Sequence, residues 1–209
     1  MKNDRKQTVI AYIDGFNFYF GLKDKKWKIF YWLDICKFIE KNLKPHQELL
    51  EVNYFSAIPK DQDKADRQDK LFQANKLNPK FKLHLGKYLR KEKKCYKCGR
   101  INYTFEEKET DVRIATTMLY DSFKNRSDII LLVSADSDLK PPIEIIKEIN
   151  PKQKIFVFFP PNRLSNDLKN ICNLSKRLDS SFSVFAESVL SEQIETEDGY
   201  IIKRPDSWK

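Results

Sequence analysis

The sequence lacks the features that mark membrane and secreted proteins. No stretch approaches the roughly 20 consecutive apolar residues of a membrane-spanning helix. The opening segment, MKNDRKQTVIAYID, has only a short apolar run before Asp14, which predicts no signal peptide. The 209 residues include only four cysteines, in no regular framework, as expected in a reducing compartment. Together these absences predict a protein of the cytoplasm with no membrane partner.

Positive charge is what the sequence has in excess. Its 39 lysines and arginines outnumber 30 acids, a net charge of +9 that favours a polyanionic partner such as nucleic acid or an acidic membrane surface. Tyr88, Tyr96 and Tyr103 are interleaved with one basic run, as in a groove that stacks bases and follows phosphates. A solvated basic loop is the alternative. The candidate nucleic-acid-binding residues are Lys87, Arg90, Lys91, Lys93, Lys94, Lys97 and Arg100.

The apolar runs are short, non-alternating and rich in β-branched and aromatic residues, which is typical of strands covered on both faces of a parallel sheet. They cover residues 9–13, 52–57, 128–134 and 154–159. Helix-like segments lie between them, at 33–43, 62–77, 110–124 and 141–149. This alternation predicts one three-layer α/β domain with a central, mainly parallel sheet.

The ends of this domain are predicted less directly. Residues 1–187 are expected to form it, with a basic hairpin insert at about 87–105 and a last edge strand at 181–187. Residues 188–209 are expected to form a loosely attached C-terminal tail. No internal repeat or low-complexity linker divides the chain.

Four acids are predicted to meet at one edge of the sheet. Asp14 follows the first strand directly, and Asp136 and Asp138 follow the strand at 128–134. The helix at 110–124 runs antiparallel to that strand, so Asp111 at its beginning lies at the same edge. Four adjacent carboxylates repel one another unless a cation compensates, and oxygen ligands suit Mg²⁺ or Mn²⁺.

Each acid also has a purely structural interpretation when it is taken alone. Asp14 with Gly15 can be an ordinary turn. Asp111 can be a first-turn helix acid after a Thr110 cap, and Asp138 can cap the helix that follows it. Their convergence on one edge is what favours a metal site.

Three spaced motifs resemble those of a known family. YIDGFNFYFGL, EKETDVRIATTMLYDSF and LLVSADSDLKPPIEIIKE occur in the order and spacing of bacterial NYN-domain proteins, the LabA-like branch of the PIN-like nucleases. The resemblance covers roughly residues 8 to 160 and includes Arg67 and Gln68. It implies a PIN-like fold and metal-dependent ribonuclease activity.

The resemblance also implies roles for particular residues. Asp14, Asp111, Asp136 and Asp138 match the metal-site acids, and Asn17 and Ser134 match their polar neighbours. The sequence departs from the family at two positions, where Ala135 and Glu109 replace the usual glycines. Glu109 is then either a fifth acid of the site or a solvent-facing side chain.

Cys95 and Cys98 form a CxxC pair inside the basic insert. A structural zinc ion needs four ligands, commonly from two such pairs. His84 is the best candidate for a further ligand, since its strand leads into the insert; a reduced dithiol is the alternative. Cys36 and Cys172 lie in helix-like segments and are expected to be buried apolar residues.

The resulting hypothesis is a metal-dependent ribonuclease that hydrolyses RNA with Mg²⁺ or Mn²⁺ and has a second, structural Zn²⁺ if the cysteine pair binds metal. Two alternatives stay open. One is an RNA-binding module with a vestigial metal site. The other is a phosphohydrolase of small phosphoesters with an aspartyl nucleophile, although Phe16 occupies the position where its second aspartate is expected. The sequence leaves a homodimer open.

Overall fold

The computed structural model describes residues 5–209, apart from the side chains of Asn102 and of residues 104–107. The strands in chain order are β1 (Gln7–Asp14), β2 (Gln47–Ser56), β3 (Phe81–Leu85), β4 (Lys87–Lys94), β5 (Ile101–Lys108), β6 (Ile129–Val133), β7 (Lys154–Phe159), β8 (Leu174–Arg177), β9 (Gln193–Glu195) and β10 (Ile201–Lys203). The helices are α1 (Gly15–Asp24), α2 (Ile35–Asn42), α3 (Gln62–Lys76), α4 (Thr110–Phe123), α5 (Lys140–Ile149), α6 (Asn166–Ile171) and α7 (Phe182–Glu187).

Six parallel strands form the central sheet, in the order β3-β2-β1-β6-β7-β8. The chain builds outward from β1 in one direction through β2 and β3, and then in the other through β6, β7 and β8. The strand order therefore reverses between β1 and β6, where open α/β sheets form their binding crevices. This architecture confirms the predicted PIN-like, three-layer α/β fold.

Both faces of the sheet are covered, which explains why the strands are continuously apolar. Val9, Ala11 and Ile13 of β1 pack with α1, α2 and α7 on one face. Ile10 and Tyr12 pack with α4, α5 and α6 on the other. Aspartate side chains cap three of the helices: Asp14 caps α1, Asp34 caps α2 and Asp61 caps α3.

The expected edge strand at 181–187 is wrong. Residues Phe182–Glu187 form the short helix α7, and the edge strand is β8, whose sequence LSKR is too polar to stand out. The spacing of Phe182 and Phe185 turns both rings toward Phe30, and Phe185 also lies 4.3 Å from Phe38 between ring centroids. Aromatic packing on one helix face thus overrides the strand propensity of this segment.

Residues 188–209 pack against the domain, in contrast to the loose attachment expected. The Trp32 indole N–H donates to the carbonyl of Ser191 at 2.8 Å, and Ile202 is buried. Arg204 is also buried and donates to the carbonyl oxygens of Ile29 and Trp208. Within residues 5–209, no helix has the length and apolar character required to cross a bilayer.

The segment between β3 and α4 forms a separate two-stranded hairpin of β4 and β5, here called the basic hairpin (residues 87–108). Its pairing runs from Lys87 opposite Lys108 at the base to Lys94 opposite Ile101 near the tip. It has eight positive residues against three acids, so its net charge is positive.

Candidate metal centre

Asp14 lies at the point where the strand order reverses, at the end of β1 and the start of α1. One carboxylate oxygen accepts a hydrogen bond from the backbone N–H of Asn17 and the other accepts one from the Ser134 hydroxyl, both at 2.9 Å. Gly15 is required next to it, because a Cβ atom there would lie 2.5 Å from the carbonyl oxygen of Phe55. The buried carboxylate is therefore held in one orientation.

The loop after β6 is tied to Asp14 through polar side chains. Ser134 accepts a hydrogen bond from the Asp136 N–H at 3.0 Å while it donates to Asp14. The Asn17 side-chain oxygen accepts from the Ala135 N–H at 3.2 Å. Ser134 and Asn17 thus join the ends of β1 and β6, as expected of residues that orient metal ligands.

Three of the four predicted acids meet at this edge. Asp14, Asp111 and Asp136 each have a carboxylate oxygen within 4.8 Å of one from each of the others. Asp138 does not belong to this group; its backbone N–H donates to Asp136 in the short 3₁₀ turn that precedes α5. The convergence predicted from the sequence therefore holds for three positions, with Asp138 beside them.

The beginning of α4 differs from the sequence-based expectation. Its N-cap is Glu109, which has a left-handed φ of 80°, and Thr110 is already the first helical residue. Glu109 makes ion pairs with Arg113 at 3.0 Å and with Lys87 at 3.9 Å. Glu109 is exposed and does not belong to the acid group, so of the two alternatives taken from the sequence the solvent-facing side chain is the one that holds.

The electrostatics of the group favour a bound cation. Burial raises the pKa of Asp14, and the charge of Asp136 raises it further, although the hydrogen bonds from Asn17 and Ser134 act in the opposite direction. Asp14 is buried, Asp136 half-buried and Asp111 exposed, so the group opens to solvent on one side. Three carboxylates in this arrangement could hold a divalent metal ion and leave coordination positions for water and substrate.

A cavity of about 440 Å³ begins beside Asp14, since Gly15 and Tyr54 line it. Aromatic rings from α1 and from the basic hairpin form much of its wall, among them Phe16, Tyr19 and Tyr88. Lys60, Lys64 and Arg67 also line it and outnumber the one acid among its lining residues, Asp61. Its size falls in the range of about 300–1,000 Å³ that is usual for small-ligand sites. The only sequence signal for it was Arg67 and Gln68 in the family resemblance.

The basic hairpin begins next to the acid group. Tyr88 at its base contacts Phe16 edge to face, with 6.1 Å between ring centroids, and Arg90 lies 3.5 Å from the centre of the Tyr103 ring. Lys91 and Lys93, in the middle of β4, have interaction partners. Lys94, Lys97 and Arg100 surround the tip. The predicted nucleic-acid-binding residues thus lie along β4 and around the tip, and those on β4 are divided between the two faces of the hairpin, because successive side chains of a strand point to opposite faces.

His84 does not join the cysteine pair as expected. Its ring lies in β3, within 2.7 Å of the Asn53 side-chain oxygen and stacked on Phe55. Cys95 and Cys98 lie at the hairpin tip instead, whereas Cys36 is buried and Cys172 half-buried in the domain. Among the side chains that the structure describes, only the three aspartates bring three metal-ligating groups together.

A protein of known name is similar in sequence to part of this chain. A relative from Pseudomonas putida, 6-hydroxy-3-succinoylpyridine 3-monooxygenase HspA, is 27% identical over 172 residues. The match covers 65% of this chain but only 54% of that enzyme, so the chain spans about half of its length.

The crystal structure of a protein of unknown function from Vibrio parahaemolyticus covers 87% of this chain and 99% of its own, with a TM-score of 0.60 and 18% identity, which supports the fold alone. The NYN domain model matches residues 8–177, which include the three clustered aspartates. The chain therefore belongs to the NYN domain family, within the PIN-like superfamily.

Proposed function

We propose that this protein is a metal-dependent ribonuclease. The observation that carries the proposal is the group of three carboxylates at the reversal of strand order, which includes the buried Asp14. NYN domains are generally nucleases, and an acid group of this kind suits Mg²⁺ or Mn²⁺. A divalent ion held there supplies positive charge for a phosphodiester and lowers the pKa of water, the chemistry that hydrolysis requires.

The residues around the group have distinct tasks in this proposal. Asp14, Asp111 and Asp136 hold the metal ion. Ser134 and Asn17 keep the end of β1 and the loop after β6 in register, so they are positioning residues. Asp138 supports the turn on which Asp136 lies, because its backbone N–H donates to the Asp136 carboxylate.

The substrate we propose is single-stranded RNA. The aromatic cavity beside Asp14 suits an unpaired base, since planar bases stack on aromatic side chains. The basic hairpin continues from the cavity through Tyr88 and offers positive charge along the path of the backbone. A double helix cannot insert a paired base into this cavity without first unpairing it.

A cleavage assay tests the catalytic part of the proposal. Wild-type protein should cut single-stranded RNA with Mg²⁺ or Mn²⁺ and not with chelator, and Asp136→Asn should be inactive. Glu48→Gln is the matched control, an exposed acid at the opposite edge of the sheet. Metal-independent cleavage, or full activity in Asp136→Asn, would contradict the proposal. RNA binding without cleavage by the wild type would favour the binding-module alternative.

The salt dependence of RNA binding tests the role of the hairpin. Replacing Lys94, Lys97 and Arg100 with alanine should lower the slope of log affinity against log salt by about 0.7 for each RNA phosphate that the variant no longer neutralises. Lys6, Lys44 and Lys152 provide a matched triple control, since all three are exposed near the opposite edge of the sheet. An unchanged slope in the hairpin variant would identify the run as a solvated surface.

One observation favours a second candidate function, the binding of a small heteroaromatic acid in the aromatic cavity. The relative from Pseudomonas putida is named for a small heteroaromatic acid, and a cavity lined by aromatic and cationic side chains suits such a molecule as well as a base. Calorimetric titration with 6-hydroxy-3-succinoylpyridine distinguishes the two. Saturable binding of this compound that RNA does not displace would favour the second candidate over the ribonuclease.

A further inference from the structure

The tip of the basic hairpin is a tightly built turn with the sequence CYKCGR (residues 95–100). The N–H of Cys95 donates to the carbonyl of Arg100, and the N–H of Gly99 donates to the carbonyl of Cys95, both at 2.8 Å. Gly99 has a φ of +70°, a left-handed conformation that favours glycine. Glycine after the second cysteine therefore allows the chain to close the turn.

This turn directs hydrogen-bond donors at one sulfur atom. Hydrogen bonds from the backbone N–H groups of Cys98 and Lys97, and from the Cys98 thiol, hold the pKa of the Cys95 thiol below its usual range. Backbone donors stabilise a negatively charged sulfur, the form in which cysteine binds metal ions. Two cysteines separated by two residues are one half of a tetrahedral zinc site.

The other half is not supplied by the described part of the same chain. Among the described side chains, the three aspartates form the only group of three potential metal ligands. The tip also lies far from the domain, because the seven residue steps of β4 at about 3.3 Å each extend over roughly 23 Å. Tyr96 is fully exposed and Cys98 is exposed, so the tip is open to another molecule.

We propose that the hairpin tips of two copies of this chain bind one zinc ion between them, through Cys95 and Cys98 of each copy. Each thiol releases its proton to solvent when the metal binds. Zinc with four thiolates has a net charge of −2, which the nearby Lys94, Lys97 and Arg100 compensate. Without the metal, the same positive residues repel the second tip, so zinc is required for pairing. The site is separate from the acid group and does not rest on the proposed ribonuclease function.

Elemental analysis and molar-mass measurement on the full chain, in the presence of a non-thiol reductant, test the proposal. Protein purified without chelator should contain about 0.5 zinc per chain and have twice the chain mass, because four thiolates complete one tetrahedral site. Chelator should convert it to monomer, and added zinc should restore the dimer. Cobalt in place of zinc should give the absorption of a tetrahedral thiolate site.

Matched variants separate this site from other thiols and from the acid group. Cys98→Ser should lose the zinc and the dimer without a change in helix content, whereas Cys172→Ser and Asp136→Asn should retain both. A zinc-free wild type, a monomer that contains zinc, or a dimer that survives chelator would each overturn the proposal. Loss of cleavage in Asp136→Asn with the zinc-bound dimer intact would show that the two sites are independent.

Discussion

Two buried aspartates close to β1, Asp14 and Asp121, differ in what surrounds them. Asp121 of α4 is 2% exposed and Asp14 is 3% exposed. Asp121 accepts hydrogen bonds from the Tyr12 hydroxyl at 2.7 Å and from the Arg126 guanidinium at 2.9 Å, and Arg126 also reaches Glu51. Asp14 accepts only from neutral groups, and Asp136 lies beside it. Among the described side chains, no lysine or arginine makes an ion pair with Asp14.

The comparison shows how a structural acid differs from a site acid. Arg126 supplies the cation for Asp121, and the two carboxylates near Arg126 raise its pKa. At Asp14 the fold supplies orientation without compensating charge, and burial raises the pKa of the carboxyl. A buried carboxylate without a protein cation is unfavourable, so a bound metal ion has the most to contribute at Asp14.

The largest expected effect is on RNA cleavage. Asp14→Asn keeps the shape and the helix cap but removes a charge that the metal ion requires, so cleavage should fall by about 10²–10³-fold. Asp121→Asn should leave cleavage by the folded protein within about twofold of wild type. Single-turnover assays on both variants check this. Equal losses in the two variants would remove the distinction between the two aspartates.

The second effect is on stability. Arg126→Met leaves Asp121 buried without its cation and should lower the free energy of unfolding by about 3 kcal/mol in urea titrations. Arg5→Met, which removes an exposed ion pair with Asp128, is the control and should cost less than about 1 kcal/mol. A decrease of less than about 1 kcal/mol in Arg126→Met would mean that Asp121 does not depend on this pair.

The third effect is stabilisation by metal. Mg²⁺ or Mn²⁺ at about 100 times its dissociation constant should stabilise the wild type by about 2.7 kcal/mol, because the ion binds only the folded site. The resulting rise in melting temperature should shrink in Asp14→Asn, Asp111→Asn and Asp136→Asn, and persist in Glu48→Gln. A shift of wild-type size in all three aspartate variants would mean that these residues do not share an ion.

The fourth effect is the pH dependence of the metal-free protein. Because folding raises the pKa of Asp14, the folded state binds more protons than the unfolded state between about pH 4 and that raised pKa. Over this window Asp14 lowers stability as pH rises. The stability of Asp14→Asn relative to wild type should therefore increase with pH. Urea titrations at a series of pH values measure this difference, and a constant difference would contradict it.

The smallest expected effect concerns Glu109. Like Asp121 and unlike Asp14, Glu109 makes ion pairs with basic side chains, those of Lys87 and Arg113. Glu109→Ala and Glu109→Gly both remove these ion pairs, but only glycine relieves the left-handed backbone. The glycine variant should be more stable than the alanine variant by about 1 kcal/mol in thermal unfolding. Both variants should cleave RNA. Loss of cleavage in both would mean that Glu109 takes part in the metal site.

The sequence by itself determined the four central strands of the sheet and most of the acid group. The four strands predicted from apolar runs and the four predicted helices are all present. A strand that is buried on both faces of a parallel sheet is apolar at consecutive residues, and this pattern can be recognised in the sequence. Asp14 and Asp136 could be brought together from the sequence alone, since parallel strands end at one edge. Asp111 followed from the direction of the helix before β6.

Only the tertiary structure decided which polar groups are partners. Tyr12 and Asp121 are 109 residues apart, and Tyr12 is part of an apolar run in which its hydroxyl gave no signal. The exclusion of Asp138 depends on the short turn that follows β6, and the separation of His84 from the cysteines depends on how the basic hairpin leaves the domain. Periodicity is a local property of the chain, whereas the partner of a buried charge is chosen by packing between distant segments, and for that reason the cation of Asp121 became visible only in the fold.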